Sequence, residues 1–130
     1  MPRRKWRAVS DRKIRHLDLC SGIGGFALGI AAAGRAVSTV AMCEIDSYCQ
    51  AVLRKHWPDV PIYPDIKTFP TEEFKGIDIL TAGYPCQPFS VAGKQEGTKS
   101  DYHLWPWVFE IVKQIRPTWC IFENVPGHIT

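Results

Sequence analysis

A cysteine stands between two prolines in residues 83–90, which read Gly-Tyr-Pro-Cys-Gln-Pro-Phe-Ser. This segment follows the apolar run 77–80, so Cys86 is predicted to lie in a loop after a strand, where open α/β sheets place reacting groups. The small and polar residues around Cys86 favour exposure of its side chain to solvent. A thiol with an ordinary pKa of about 8.5 becomes a nucleophile when it is deprotonated, and Pro85 and Pro88 restrict the backbone that aims the sulfur.

A second chemical signal is the glycine-rich segment 18–26, which falls at the predicted turn from a first strand into a helix. Glycine permits a tight turn and lets a ligand approach the backbone, while the helix N-terminus offers free N–H groups and the positive end of the helix dipole. The segment is not a complete G-x-G-x-x-G, which weakens a dinucleotide interpretation. A turn of this kind can also be purely structural.

Two acidic residues follow at the ends of the next predicted strands. Glu44 lies nineteen residues after Gly25, where an acid binds a ribose diol in nucleotide-binding sheets, and Ile45 beside it offers an apolar face. Asp65 follows a short third strand and could accept a hydrogen bond from an adenine amino group. The pattern fits an adenosine cofactor without a pyrophosphate, such as S-adenosylmethionine (SAM).

These residues require strands that alternate with helices. The sequence predicts strands over 14–20, 37–44, 61–63, 77–81 and 119–122, and helices over 24–33, 46–57 and 104–114. Such alternation implies a parallel sheet with right-handed crossovers. The segment 82–101 is long and rich in Gly, Pro and Ser, which favours a functional loop over a simple connection.

Composition narrows the class of protein. With 130 residues, of which 22% are charged, the chain fits one globular domain or the leading half of a larger one. No apolar run approaches the roughly 20 residues of a membrane span, and no signal core follows the N-terminus, so we expect a cytoplasmic protein without membrane contact. The five cysteines lack zinc or disulfide spacing, and all but Cys86 are expected to pack as small hydrophobes.

Positive charge is concentrated at the N-terminus. Residues 1–15 carry seven Lys or Arg against one Asp, a net of +6, whereas the rest carries nine against twelve, a net of −3. A basic arm over 1–13, which includes Trp6, could neutralise nucleic-acid phosphates. It could equally be a solvated terminus.

Together these segments resemble the N-terminal part of the DNA cytosine-5 methyltransferase family. The matches occur in the family's order: 18–26, Glu44, 64–66, 83–90 with 92–95 after it, and 123–125. The resemblance implies an α/β chain with an incomplete Rossmann-like, SAM-dependent methyltransferase fold. Its sheet would be mostly parallel with five strands, and helices would cover both faces.

The resemblance also assigns roles in methyl transfer from SAM to carbon 5 of cytosine in DNA. Cys86, beside Pro85, would add to carbon 6 of a flipped-out base. Glu123 would stabilise the ring as a protonated acid, which requires burial near neutral pH, and Asn124 would orient that acid or the nearby loop. The implied cofactor residues are Asp18, Cys20, Ser21, Gly22, Gly24, Gly25, Phe26, Glu44, Ile45, Asp65, Ile66 and Gly83, and no metal is implied. Cys20 and Ile45 stand where the family has aromatic residues, which reduces the apolar surface for adenine.

The resemblance covers residues 14–130 as the N-terminal part of a catalytic domain, without the family's target-recognition region and C-terminal part. We therefore expect little turnover from this chain alone, whether it is a fragment, one half of a split enzyme or a degenerate relative. A separate chain could supply the missing part, and a bacterial restriction-modification system or a phage is the expected setting. Two alternatives stay open: a transfer RNA cytosine-5 methyltransferase relative, and a non-catalytic SAM-binding or regulatory module.

Overall fold

The computed structural model describes residues 12–33, 36–84 and 103–124. The strands are β1 (Ile14–Leu19), β2 (Val37–Cys43), β3 (Ile62–Tyr63), β4 (Ile79–Ala82) and β5 (Trp119–Phe122). The helices are α1 (Gly25–Ala32), α2 (Ser47–His56) and α3 (Trp105–Ile115), and two 3₁₀ turns, Ile66–Thr68 and Thr71–Phe74, join β3 to β4. The predicted strands and helices are confirmed to within two residues, whereas the 3₁₀ turns were not predicted.

The five strands form one sheet with the order β3-β2-β1-β4-β5. Each described strand pair is parallel, as expected. The chain runs outwards from β1 to β3 and then returns to place β4 on the other side of β1. Open α/β sheets bind ligands at such a reversal, outside the carboxyl ends of the strands. The topology therefore directs attention to the ends of β1 and β4.

Helices cover both faces of the sheet. On one face, the larger core cluster joins Leu17 of β1 to Ile111 of α3 and also includes residues of the 3₁₀ turns. On the other face, Met42 of β2 packs against Ala27 of α1 and Leu53 of α2. Burial on both faces is usual for a parallel sheet, and here it extends to the polar residues His16 and Asp18 of β1.

Local signals explain where two helices begin and end. Asp46 caps α2, because its Oδ1 accepts a hydrogen bond from the backbone N–H of Cys49 at 2.8 Å. Helix α3 begins with Pro106 in its first turn and ends at Arg116, whose φ of 55° is left-handed. None of the helices in the described ranges has the length and apolar character that a membrane crossing requires.

Two elements, α1 and β5, are poorly covered. All four residues of β5 are exposed, and one of its edges has no partner strand among the described residues. Helix α1 is apolar throughout, yet only Ala27 is buried and Leu28 is 64% exposed. Cys120 lies exposed on β5, so the expectation that it packs as a small hydrophobe is wrong.

Candidate functional site

A cavity of about 350 Å³ lies at the carboxyl ends of β1, β2 and β4. Seven predicted cofactor residues line it: Cys20, Gly22, Glu44, Ile45, Asp65, Ile66 and Gly83. Five further residues complete the lining: Cys43, Cys49, Pro64, Lys67 and Leu104. Its volume falls within the range of small-molecule sites. The position is the one that the predicted strand ends indicate.

The loop between β1 and α1 turns sharply three times. Cys20, Gly22 and Gly24 have positive φ angles of 52°, 54° and 91°. At Cys20 this conformation costs on the order of 1 kcal/mol, and such strain is common where a loop shapes a ligand site. A Cβ on Gly24 would lie only 2.5 Å from the ring of Trp57. Gly24 is therefore required by the close approach of Trp57, a contact that the sequence analysis missed.

Backbone N–H groups hold both carboxylate oxygens of Glu44. Gly22 donates to Oε2 at 2.6 Å, and Asp46 donates to Oε1 at 2.9 Å. The side-chain amide of Gln50 also donates to the backbone carbonyl of Glu44 at 2.7 Å. The carboxylate thus joins the glycine loop to the start of α2, and each oxygen keeps a lone pair for a further donor such as a ribose hydroxyl.

Asp65 lies after β3 and lines the same cavity. Its Oδ1 accepts a hydrogen bond from the backbone N–H of Lys67 at 2.8 Å, which caps the first 3₁₀ turn. Ile66 is buried, whereas Ile45 is 76% exposed. The apolar surface expected for adenine is therefore buried at Ile66, after β3, and exposed to solvent at Ile45, after β2.

The other five predicted cofactor residues lie outside the cavity lining: Asp18, Ser21, Gly24, Gly25 and Phe26. Asp18 is buried on β1 and Ser21 is buried within the loop, where Ser21 Oγ donates to the backbone carbonyl of Asp18 at 2.9 Å. Gly25 and Phe26 border a shallow groove on α1. The ring of Phe26 approaches Gly83, since a Cβ on Gly83 would lie 3.5 Å from Phe26 Cε2. Their part in cofactor binding stays a prediction.

Four polar side chains, three of them buried and Thr39 half-buried, cross the sheet behind the loop and are here called the buried polar row. They are Thr39 on β2, His16 and Asp18 on β1, and Thr81 on β4, joined by hydrogen bonds of 2.6–2.9 Å. Burial raises the pKa of Asp18 to about 6 and lowers the pKa of His16 to about 4. Sequence analysis missed all but Asp18, and polar residues inside apolar strands were the signal available.

Cys20, Cys43 and Cys49 surround the cavity as free thiols. Burial raises the pKa of Cys20 and of Cys43 to about 12. Both are therefore neutral at physiological pH and act as small apolar walls. Over the described ranges, no group of three His, Cys, Asp or Glu side chains is placed to hold a metal ion.

The predicted catalytic residues lie next to the ends of β4 and β5, as far as the structure describes them. Pro85 and Cys86 lie outside the described residues. Tyr84, which precedes them, is buried. Its backbone carbonyl accepts a hydrogen bond from the side-chain amide of Asn124 at 3.5 Å. Asn124 thus contacts Tyr84 in the segment that leads to Cys86, and the orienting role predicted for it stays a prediction.

Glu123 extends the pairing of β5 with β4. Its backbone N–H donates to the carbonyl of Ala82 at 3.1 Å, and its Oε2 lies 3.7 Å from the place that a Cβ on Gly83 would take. This brings Glu123 close to Gly83 at the cavity. Its side chain is exposed, however. The described residues therefore do not supply the burial that an acid role would require.

The described end of the basic arm, Arg12, lies at the amino ends of β1 and β4, away from the cavity at their carboxyl ends. Arg12 makes two hydrogen bonds of 2.7 and 2.9 Å to Asp78, which also accepts from the backbone N–H of Arg15 at 2.7 Å. The hydrogen bond with Arg12 is the main cause that lowers the pKa of Asp78. Residues 1–11 lie outside the described residues, so phosphate binding by the arm stays a prediction.

Residues 14–130 match the model of a family described as C-5 cytosine-specific DNA methylase. Among the curated relatives, Type II methyltransferase M.NgoMIV of Neisseria gonorrhoeae is 40% identical over 112 residues, which are 85% of this chain and 35% of that protein. Type II methyltransferase M2.BsuMI of Bacillus subtilis (strain 168) is 39% identical over 115 residues, which are 85% of this chain and 28% of that protein. The chain thus spans about a third of the length of these relatives.

Two solved structures share the fold. The S. pombe Dnmt2 methyltransferase has a TM-score of 0.70 and 22% identity, covering 88% of this chain and 37% of that one. A mutant of Spodoptera frugiperda DNMT2 has a TM-score of 0.68 and 24% identity, covering 87% of this chain and 36% of that one. These similarities confirm the Rossmann-like methyltransferase fold class. Since the family model matches almost all of the described sheet and helices, the chain belongs to the C-5 cytosine-specific DNA methylase family.

Proposed function

We propose that this chain is the SAM-binding and nucleophile-bearing part of a DNA cytosine-5 methyltransferase. The observation that carries the proposal is the cavity at the carboxyl ends of β1, β2 and β4, with Glu44 held on both oxygens at one side. Gly83 lines the same cavity. Cys86 follows Gly83 by three residues, a span of at most about 11 Å. The cofactor and the nucleophile would therefore meet at one base.

The cavity residues fit SAM in their chemistry. Glu44 offers acceptors to the ribose hydroxyls, and Asp65 offers a carboxylate to the adenine amino group. Ile66 and Leu104 supply apolar surface. When bound, SAM supplies an electrophilic methyl group on a positively charged sulfur. Ribose recognition by Glu44 is the contact best supported by the geometry, because its carboxylate is already oriented.

The roles of the chain's own residues follow from the family's chemistry. Cys86 Sγ would bond to carbon 6 of a flipped cytosine and raise the electron density at carbon 5. A protonated Glu123 would hold nitrogen 3 of the ring. Carbon 5 would then take the methyl group as its bond to the SAM sulfur breaks, which leaves S-adenosylhomocysteine. Loss of the carbon 5 proton to a base, with departure of Sγ, would restore the aromatic ring. Since Glu123 is exposed, the substrate or further polypeptide must bury it.

The partner that we propose is a polypeptide corresponding to the part of the relatives that this chain does not match. An open parallel strand edge is a template for a further strand, and β5 presents such an edge with Trp119 69% exposed. Helix α1 presents an apolar surface with one buried residue. Because the chain spans about a third of its relatives' length, this segment is the occupant of suitable size.

Cofactor binding is tested by Glu44→Ala. Loss of the carboxylate removes acceptors for the ribose and also frees Gly22 N–H, so SAM affinity measured by calorimetry should fall by about 1–3 kcal/mol. The matched control is Glu110→Ala on α3, whose ion pair with Lys113 is exposed, and it should leave the affinity unchanged. Equal SAM affinity in the wild type and in Glu44→Ala would contradict the assignment.

Covalent trapping tests the nucleophile and the substrate class together. The chain, mixed with SAM and the unmatched segment of M.NgoMIV, should form an adduct with duplex DNA containing 5-fluorocytosine, because fluorine at carbon 5 cannot leave as a proton does. Cys86→Ser should abolish the adduct in mass spectrometry. The control Cys120→Ser, on exposed β5, should keep it.

The same experiment separates the alternatives. An adduct with transfer RNA containing 5-fluorocytosine, and none with the duplex, would favour a transfer RNA methyltransferase. Binding of SAM without any adduct, in the presence of the added segment, would favour a non-catalytic module. An adduct that persists in Cys86→Ser would place the nucleophile elsewhere.

A further inference from the structure

The buried polar row links three neighbouring strands directly behind the cofactor loop. His16 and Asp18 alternate with apolar residues along β1, so they share one face of the sheet. Thr39 is the β2 partner of His16, and Thr81 is the β4 partner of Asp18. The register of β1 with β2 shifts immediately after His16, and irregularities of this kind re-aim side chains.

The hydroxyl of Thr81 sets the direction of the hydrogen bonds. It carries one proton, which it donates to the carboxylate of Asp18 at 2.6 Å. It must then accept from His16 Nε2–H at 2.8 Å. Because burial lowers the pKa of His16 to about 4, the ring is neutral, and its Nδ1 accepts from the hydroxyl of Thr39 at 2.9 Å. All three bonds therefore donate towards Asp18, an arrangement that stabilises a negative charge there.

Beyond the row, the hydroxyl of Ser21 also favours the charged form of Asp18 and so lowers its pKa. Within the described ranges, its Oδ2 is buried and has no hydrogen-bond partner, and no cation pairs with it. The negative charge of Glu44 raises the pKa of Asp18, whereas Cys20 is a neutral thiol. Helix α1, on this side of the sheet, has no titratable side chain. Those of α2 are all at least partly exposed: Tyr48, Cys49, Arg54, Lys55 and His56.

We propose that Thr39, His16 and Thr81 are positioning residues that keep Asp18 ionised behind the loop, so that the site prefers SAM, with its positive sulfur, to neutral S-adenosylhomocysteine. The inference rests on the proposed SAM site. Asp18 lies on β1, two residues before Cys20 of the loop that lines the cavity, and a buried charge is screened far less than an exposed one. Preference for the charged reactant over the neutral product would help product to leave.

The two ligands differ in the sulfur and its methyl group, so the ratio of their affinities isolates the effect of charge. Calorimetric titrations of the chain with each ligand should show this ratio falling roughly three- to tenfold between about pH 7.5 and about pH 5, where Asp18 takes up a proton. Asp18→Asn should show the lower ratio at both pH values. Any effect on the ribose contact of Glu44 is common to both ligands and cancels.

Thr81→Val tests the row itself. Without the donor from Thr81, Asp18 holds its proton more readily, so the affinity ratio at about pH 7.5 should fall towards the value of Asp18→Asn. The matched control is Thr71→Val, which removes another buried hydroxyl, one bonded to Gln114 on the opposite face. It should leave the ratio unchanged.

The outcomes separate this inference from the function on which it rests. If both ligands bind with a ratio that neither pH nor Thr81→Val alters, the inference is wrong and the proposed site stands. If neither ligand binds the wild type, both the inference and the proposed site are wrong.

Nitrogen NMR of His16 gives a check without ligand. A neutral Nε2–H ring down to about pH 5 is expected, and a protonated or Nδ1–H ring would overturn the hydrogen-bond directions assigned to the row.

Discussion

Strands β2 and β5 lie on opposite sides of the central pair β1–β4, and they are covered very differently. Strand β2 pairs with β1 and β3, and its last three residues are buried. Strand β5 pairs only with β4 among the described strands, and all four of its residues are exposed. The same sheet is thus closed on the side of the cofactor cavity and open on the side that carries Glu123.

Under the proposed function, this difference means that the chain itself forms the cofactor site, whereas Glu123 needs further polypeptide or substrate to be buried. On the β2 side, Glu44 already has both carboxylate oxygens bonded. On the β5 side, Glu123 is exposed, although an acid role would need its burial. The comparison can be tested by substitutions matched across the two sides.

The largest effect is expected from truncating the β2 side. Met42 is 0% exposed, so Met42→Ala should lower the free energy of unfolding by about 2–5 kcal/mol through lost burial and a cavity. Ile121 of β5 is 46% exposed, and Ile121→Ala should cost less than about 1 kcal/mol. Urea unfolding measures both. Equal costs would mean that β5 is covered in solution, and the comparison would fail.

Loop packing on the cofactor side gives the next largest effect. In Gly24→Ala the new Cβ meets the Trp57 ring at a φ of 91°, so we expect a loss of about 2–4 kcal/mol from strain and overpacking. The control Gly29→Ala places a Cβ with nothing within 4 Å in the exposed α1. It should stabilise the chain by about 0.5–1 kcal/mol, because alanine favours helix. A harmless Gly24→Ala would show that Trp57 does not pack there.

Most of this architecture could be predicted because its signals are local. Alternating strand and helix patterns in the sequence predict where each element begins and ends. Asp46 predicts the start of α2, which its hydrogen bond from the backbone N–H of Cys49 confirms. The cavity position followed from Glu44 and Asp65 at strand ends, since parallel strands bring their carboxyl ends to one edge.

What escaped prediction depends on contacts between residues distant in sequence. Trp57 against Gly24 and Thr81 against His16 arise only once the strands are ordered, and a linear pattern does not specify that order. The exposure of Cys120 has the same origin. Its strand reads as apolar, but nothing local tells whether another layer covers it.

The smallest effect is expected at Asp78, where the basic arm meets the open side. Asp78→Asn weakens the bond pair to Arg12 and should lower the melting temperature by about 1–4 °C, since exposed ion pairs contribute little.

Arg12 lowers the folded-state pKa of Asp78 below its ordinary 3.8, so folding favours the charged form. The stabilisation is therefore complete above that value and is lost as the pH falls through the folded-state pKa. The wild type and Asp78→Asn should converge in acid, while Asp59→Asn, on an exposed turn, should match the wild type at neutral pH. A difference that persists once the pH lies well below the folded-state pKa of Asp78 would show that Asp78 acts through its shape rather than its charge.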